Sequence, residues 1–354
     1  MNIYILPSQN RNNIYIQLLV DHLKRADHNL NICQTKNDNL LSVFYSIVSN
    51  RNNKEKNIVH IQWSTILYGS AFAIKSLASL TTNTLIAVTL KVFFNTKFIW
   101  TVHNFYAHDY GHQIIDRIGR RLVAFISDVV VTQQEITFKD YKNKYPNKNI
   151  RYIPHGNYID AYGPILERDD KLRENLGFEK TDIVLISLGA IKRYKLNEKI
   201  IESVIKARKI NSKIKLLVIG KGGDDYVDSL KDIVQGDNGV VVINSFVKNE
   251  DIPKYLSIAD YSIFYYDQSE MTSGGIILSL SYGVPVISRN IPGAEMVTKK
   301  SGYIFSNDVQ LVDVISNLEP LGQFSGSKND IIGTVRYNNW DRTSTRLLEI
   351  YKNI

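Results

Sequence analysis

The sequence predicts an α/β protein of two doubly wound domains, each a parallel sheet with helices packed on it. Three observations predict it. Short β-rich apolar runs alternate with amphipathic helical stretches along most of the chain, which is the pattern of βαβ units. The chain is 354 residues long, more than one hydrophobic core usually organises. Residues 270–295 join a polar turn with two adjacent glycines (Ser273, Gly274, Gly275) to an apolar helix, a stop at Gly283, a short buried strand and a second Gly/Pro loop. Such a loop before a helix is an anion site, because unpaired N–H groups and the helix dipole converge there.

The elements follow in order. Residues 2–6 are β-rich, Pro7-Ser8-Gln9-Asn10 breaks the run, and residues 13–25 carry Ile16, Leu19, Val20 and Leu23 on one helical face. A helix over 39–49 precedes the strand Ile58-Val59-His60-Ile61-Gln62-Trp63. Residues 65–94 are apolar at length, interrupted by Lys75 and Lys91 and by scattered polar residues. A membrane span needs roughly 20 mostly apolar residues in a row, so one or two buried or interfacial helices are expected. The strand over 98–102 runs into His103-Asn104-Phe105-Tyr106-Ala107-His108-Asp109, at the strand end where ligand groups gather in a parallel sheet. A basic helix (116–125, with Arg117, Arg120 and Arg121), a strand (128–132), a helix (133–141) and a strand closing in Pro154-His155-Gly156 complete the first half. Residues 157–180 are charged and strand-free, which reads as a linker. The second half has strands over 183–189, 215–219, 240–243, 261–264 and 286–288, with helices over 195–209, 226–234 and 250–258. After Tyr303-Ile304-Phe305 come a helix (309–318), a loosely ordered Gly/Ser segment (320–328) and an amphipathic helix (340–351).

Composition narrows the function classes. With 44% hydrophobic and 22% charged residues the chain is ordinary and globular. A lone cysteine, Cys33, excludes an internal disulfide and any cysteine metal cluster, which fits a reducing compartment. The start shows no basic leader with a cleavage site, so no signal peptide is expected. Residues 1–160 hold 18 lysines and arginines against 10 aspartates and glutamates, whereas the remainder holds 25 of each. A basic first half suits an anionic membrane surface or a phosphate-bearing ligand. No nucleic-acid-binding motif is present, and no Gly-x-x-x-x-Gly-Lys-Ser/Thr loop.

Several strings resemble the GT-B glycosyltransferases, and specifically bacterial polysaccharide or O-antigen enzymes of the retaining, group 1 type. Leu188-Gly189-Ala190-Ile191-Lys192-Arg193-Tyr194-Lys195 is similar to that family's Gly-Arg-x-x-x-x-Lys segment, with Ala190 at the arginine position. Thr101-Val102-His103-Asn104 is similar to its strand-end histidine, Ile153-Pro154-His155-Gly156 to the segment closing the first domain, Tyr282-Gly283-Val284-Pro285-Val286-Ile287 to Gly-x-Pro-Val-Ile, and Pro292-Gly293-Ala294-Glu295 to Gly-Gly-x-x-Glu. Retaining relatives carry two glutamates eight residues apart. Here Glu270 stands for the first and Leu278 occupies the second position.

The resemblance implies two Rossmann-like domains facing a cleft: an acceptor-side domain over 1–165, completed by a C-terminal helix over 338–354 that crosses back, and a nucleotide-sugar domain over 175–335. It implies transfer of a hexose from a UDP- or GDP-hexose to a bacterial glycan or polyprenyl-diphosphate-linked acceptor. No metal and no further cofactor are expected. Work at the cytoplasmic face of the bacterial plasma membrane, with peripheral contact to anionic lipid and none to nucleic acid, also follows. Lys192, Arg193, Lys195 and the turn Thr272, Ser273, Gly274 and Gly275 would hold the donor diphosphate. Glu270 would read the sugar, and Glu295 or Asp267 would reach the ribose. His103 either holds the donor sugar or, with Asp109, supplies a general base. Trp63, His155 and Gly156 would line the cleft. Two alternatives stay open: His103, His108, Asp109 and His112 as a metal cluster, and a non-catalytic nucleotide-sugar-binding partner subunit.

Overall fold

A computed structural model of the protein describes residues 1–8, 14–50, 55–70, 72–104, 112–267 and 272–354. The chain divides into two compact units, 1–156 with 338–354, and 157–337.

In unit one the elements run β1 (Asn2–Leu6), α1 (Ile14–Ala26), β2 (Asn31–Ile32), α2 (Leu40–Ser49), β3 (Asn57–Ile61), α3 (Ala73–Phe93), β4 (Thr96–Val102), α4 (Gln113–Ile126), β5 (Val129–Thr132), α5 (Glu135–Lys144) and β6 (Asn149–Tyr152). All pairings are parallel, in the order β2-β1-β3-β4-β5-β6. The chain reverses direction across the sheet at β1, so right-handed crossovers put α1 on one face and α2 to α5 on the other. The α1 face packs Ile16, Leu19 and Leu23 onto Ile3, Ile58 and Ile99. Each fully buried Leu or Ile there is worth roughly 1.5–3 kcal/mol. On the opposite face α3 packs against α2 and α4, and Tyr141 of α5 meets Trp100 edge-on.

Unit two runs α6 (Asp170–Asn175), β7 (Ile183–Leu188), α7 (Asn197–Arg208), β8 (Ile214–Gly220), α8 (Asp224–Val234), β9 (Val240–Asn244), α9 (Ile252–Ser257), β10 (Tyr261–Phe264), α10 (Gly274–Ser281), β11 (Val286–Arg289), β12 (Gly302–Phe305), α11 (Asp308–Ser316) and α12 (Lys328–Arg336). Its parallel sheet has the order β12-β11-β10-β7-β8-β9, the dinucleotide-binding arrangement with its switch point between β7 and β10. The chain then returns to unit one as α13 (Trp340–Asn353), whose Leu347 and Tyr351 join the core beneath α1.

Two local expectations change, and a third is met by the smaller of its two counts. The division falls after Gly156 instead of within a linker over 157–180, because that charged segment is packed into unit two. The Tyr158 N–H donates to Ser281 Oγ at 2.9 Å and the Tyr162 N–H to the Tyr282 hydroxyl at 3.0 Å. Arg173, 1% exposed, is salt-bridged to buried Asp260 and donates to the Ile258 carbonyl at 2.9 Å. The Gly/Ser segment ends in an unanticipated helix, α12. Ser327 and Asp330 form a reciprocal capping box, and Ile331, Ile332 and Val335 bury its inner face. Finally, residues 65–94 yield one long helix, α3, after a short 3₁₀ turn at Ser64–Leu67.

Gly156 carries a packing constraint within unit one. A Cβ added there would lie 2.4 Å from the Trp340 ring, and Trp340 is 4% exposed, so the ring has nowhere to move. Gly156→Ala is expected to destabilise by about 1–3 kcal/mol through overpacking. Chemical denaturation followed by tryptophan emission measures it, and a midpoint equal to wild type would refute it.

Candidate functional site

Ligands of open α/β sheets sit outside the carboxyl ends of the strands beside the switch point. In unit two those ends belong to β7, β8 and β10. The ends of β7 and β8, with the start of α10, border a cavity of about 280 Å³ whose lining includes Tyr158, Gly189, Lys195, Lys221, Gly274 and Gly275. That is near the lower bound, roughly 300 Å³, for small-molecule sites.

Each lining residue has a local cause. Gly189 follows β7 with φ +112°, which strains any L side chain, and a Cβ there would meet Lys195 Nζ at 3.2 Å. The glycine therefore leaves space for the lysine ammonium. Lys195 ends a 3₁₀ turn, Arg193–Lys195, and left-handed Leu196 leads from it into α7. That turn is tied to the exit of β10, where the Asp267 N–H donates to the Tyr194 carbonyl at 2.9 Å and Tyr194 stacks on Tyr266 at 6.2 Å. Tyr266 in turn accepts from Ser273 Oγ at 2.8 Å. Ser273 caps α10, its Oγ accepting from the Ile276 N–H at 3.2 Å. The lysine turn and the N-terminus of α10 are thus cross-linked through Tyr266.

Gly274 and Gly275 form the first turn of α10 at the cavity wall, where a helix leaves its N–H groups unpaired. A Cβ on Gly275 would come within 2.8 Å of Phe264, whereas one on Gly274 would touch only the Tyr158 hydroxyl, at 3.4 Å. Thr272 is buried, and its Oγ1 has no hydrogen-bond partner among the described residues. Leu278 lines the cavity one turn into the helix.

The other expected donor contacts lie elsewhere. Lys192 and Arg193 are exposed and outside the cavity lining, with the Arg193 guanidinium 4.8 Å from the Tyr226 ring centroid. Glu295 is exposed after the turn Pro292–Ala294 and does not line the cavity. Glu270, His108 and Asp109 fall outside the described residues. Lys221 belongs to none of the family-like strings. It follows Gly220 at the end of β8, and the Ile191 N–H donates to its carbonyl at 3.0 Å, fastening the β8 exit to that of β7. The sequence signal was the turn Gly220-Lys221-Gly222-Gly223 itself.

Unit one has its own polar group at strand ends. His103 follows β4, stacked on Trp63 at 4.9 Å and met edge-on by Tyr15 at 5.1 Å. Its Nε2–H donates to Gln62 Oε1 at 3.0 Å, leaving Nδ1 as the lone-pair nitrogen. Behind it, His60 Nδ1 lies 2.6 Å from the Tyr351 hydroxyl and Nε2 2.7 Å from Thr101 Oγ1. The His155 Nδ1–H donates to the Gly156 carbonyl at 2.6 Å, and Tyr15 packs on that ring at 4.9 Å. Trp63, His103 and His155 therefore share one aromatic cluster with Tyr15 and Trp340, and Gly156 closes it. Burial pushes His60 down to about 3 and His155 to about 4. His103 falls to about 3, through burial first and then the nearby His155 and His60. All three are neutral at pH 7. His60 and Gln62 were missed as site residues, although polar residues two apart in an apolar strand mark one shared face.

Among the described residues no three His, Cys, Asp or Glu side chains converge as a metal site. A larger cavity of about 690 Å³ lies beside Asp260 and Val284, at the amino ends of β10 and β11. That is the opposite end of the parallel sheet from the one where ligands bind.

The comparisons with known proteins agree with this fold. Residues 182–319 match the family described as "Glycosyl transferases group 1". No curated protein sequence is significantly similar to the chain. Among solved structures, Anabaena HepE in complex with UDP and glucose is similar over 100% of both chains, with TM-score 0.74 and 13% identity. Sucrose-phosphate synthase from Thermosynechococcus elongatus is similar over 100% of this chain and 98% of its own, with TM-score 0.71 and 13% identity. The pneumococcal O-GlcNAc transferase GtfA covers 88% of this chain and 59% of its own, with TM-score 0.60 and 13% identity. The chain has the GT-B fold, and the stretch that matches the group 1 glycosyltransferase family lies within its second unit.

Proposed function

We propose that the protein is a glycosyltransferase that moves a hexose from a UDP- or GDP-hexose to a bacterial glycan or lipid-linked oligosaccharide in cell-surface polysaccharide synthesis. The observation that carries this reading is Lys195 held over Gly189 beside the first turn of α10, at the switch point of unit two. HepE, of the same fold, was solved with UDP-glucose.

Glycosyl transfer requires neutralisation of the leaving diphosphate while an oxocarbenium-like centre develops. Lys195 and the N–H groups of Gly274 and Gly275 are suited to the leaving group, with Lys221 as second cation in place of the arginine that Ala190 replaces. No metal is needed for that role. Unit one supplies the acceptor side. A histidine with its pKa near 3 is a poor base at pH 7, so His103 acts as a neutral hydrogen-bond acceptor through Nδ1, toward a sugar hydroxyl. This favours its sugar-holding role over general-base catalysis. The working location is the cytoplasmic face of the bacterial plasma membrane.

Leu278 in the cavity wall, where retaining relatives place a carboxylate, is the observation favouring a donor-binding subunit without turnover. A thermal-shift panel of UDP, GDP, CMP and dTDP sugars, followed by an assay for nucleoside diphosphate release, separates these readings. A UDP- or GDP-hexose at about a hundred times its Kd is expected to stabilise the protein by about 2.7 kcal/mol, with release of the diphosphate. Binding without release with any acceptor would favour the subunit reading, and no shift with any nucleotide sugar would overturn both.

A further inference from the structure

The helical layer α2 to α5 of unit one has an unusual outer surface. A surface helix normally turns a polar face to water, but α3 is apolar on both sides. Ser76, Leu80, Ala87 and Leu90 face inward, while Ile74 (85% exposed), Leu77, Leu85, Val88 and Val92 form an outward stripe at spacings of three, four and eight residues. On α4, exposed Ile114, Ile118 and Phe125 interleave with exposed Arg117 and Arg121. Across α2, α3 and α4 the one acidic residue is Asp116. It is 2% exposed and salt-bridged to Arg120 at 2.9 Å, so these three helices present no exposed carboxylate.

Between α4 and α5 lies a pocket of about 310 Å³ lined by Arg117, Arg120, Arg121 and Lys144, with Asp140 as the single carboxylate and Tyr141 and Tyr145 beside them. Burial, with Arg121 and then Arg120 close by, holds the Lys144 ammonium below its ordinary pKa, as expected for a desolvated cation beside other cations. Lys75 and Lys148 each lie over an exposed aromatic, Phe72 at 5.0 Å and Phe125 at 5.3 Å.

We propose that the outer face of α3 and α4 docks on an anionic lipid bilayer, with the pocket between α4 and α5 receiving a lipid phosphate at Arg121 and Lys144. This deepens the proposed action on a lipid-linked acceptor by naming the surface that meets the membrane, while resting on residues remote in sequence from the donor cavity. Helix α3 has the length and apolar composition to cross a bilayer. Its Leu80, Ala87 and Leu90 are instead buried in the fold, so it lies along the interface with its stripe in the acyl boundary. The cations supply the attraction to anionic headgroups. A second copy of the chain is the alternative occupant, since a stripe at three- and four-residue spacing suits a helix partner. A two-fold interface would set the same patch against itself, bringing Arg121 toward its own copy with no exposed carboxylate on these helices beside it.

The test is co-sedimentation of the full chain with phosphatidylcholine vesicles and with vesicles about one-third phosphatidylglycerol, alongside size-exclusion light scattering. Wild type is expected to sediment with the anionic vesicles only, and to be released by high salt. Arg121→Ala with Lys144→Ala should weaken vesicle binding about thirtyfold, taking about 1 kcal/mol per basic residue. Arg121→Lys with Lys144→Arg should retain it, and Leu85→Ser with Val92→Ser should lose it. Equal binding to neutral vesicles, no sedimentation of wild type, or a dimer abolished by Leu85→Ser would each overturn the proposal. UDP-glucose binding, read on the same samples by thermal shift, belongs to unit two and tests the transferase reading separately.

Discussion

Lys195→Ala is expected to lower kcat/KM about a hundredfold, with donor affinity falling about 10- to 100-fold. A charge-assisted hydrogen bond to a phosphate is worth about 1.5–3 kcal/mol, and removing one preorganised donor to a developing negative charge costs about 100- to 1,000-fold in rate. Gly189 is shaped around that ammonium, and Lys195 lines the cavity together with the first turn of α10. Lys192→Ala and Arg193→Ala should each stay within about threefold of wild type, because they change exposed residues outside the cavity lining. Donor titration by calorimetry and initial rates of nucleoside diphosphate release measure all three. Near-normal activity in Lys195→Ala, with collapse in Lys192→Ala, would move the phosphate site to the exposed loop.

Acidification is expected to unfold unit one between about pH 6.5 and 4 through its buried histidines. His60, His103 and His155 are buried and neutral, with pKa values near 3, 3 and 4, against 6.5 when unfolded. The unfolded state therefore binds protons that the folded state refuses. The stability is fully present above about pH 6.5 and is lost as pH falls toward the folded values. Each histidine contributes up to about 1.4 kcal/mol per pH unit, so the three together approach about 4 kcal/mol per unit. A stability of about 10 kcal/mol would vanish within two to three units. All three tryptophans, Trp63, Trp100 and Trp340, belong to unit one, so their emission reports this unit alone. His155→Phe keeps the aromatic packing and should flatten the slope by about a third. Emission and Tm unchanged between pH 7 and 5 would mean that these rings titrate normally.

Much of the fold was readable because it rests on local periodicity. Strands such as Ile183–Leu188 are mostly apolar and buried over all but the last residue, and a parallel sheet covered on both faces requires such runs. The lysine of the unit-two cavity was legible for a related reason, since Gly189 and Lys195 keep a fixed spacing within one turn. Other features depended on partners far along the chain. Arg173 looks like a solvated charge in a charged segment, yet it is buried because Asp260, 87 residues on, completes its ion pair. Helix α12 has a capping signal, Ser327-x-x-Asp330, but nine residues make a marginal helix on their own. Its burial against α10 holds it.

The two doubly wound units, the glycine turn before α10 and the basic character of the first half were legible along the chain, because strand period, helix period and glycine placement are properties of neighbouring residues. Only the tertiary structure decided which cations meet that turn. It set Lys195 and Lys221 at the cavity wall and left Lys192, Arg193 and Glu295 outside it. It also joined His60 and Gln62 to His103. Strand order brings the ends of β7, β8 and β10 together in one unit and those of β3 and β4 in the other, and no local pattern encodes which strand lies next to which.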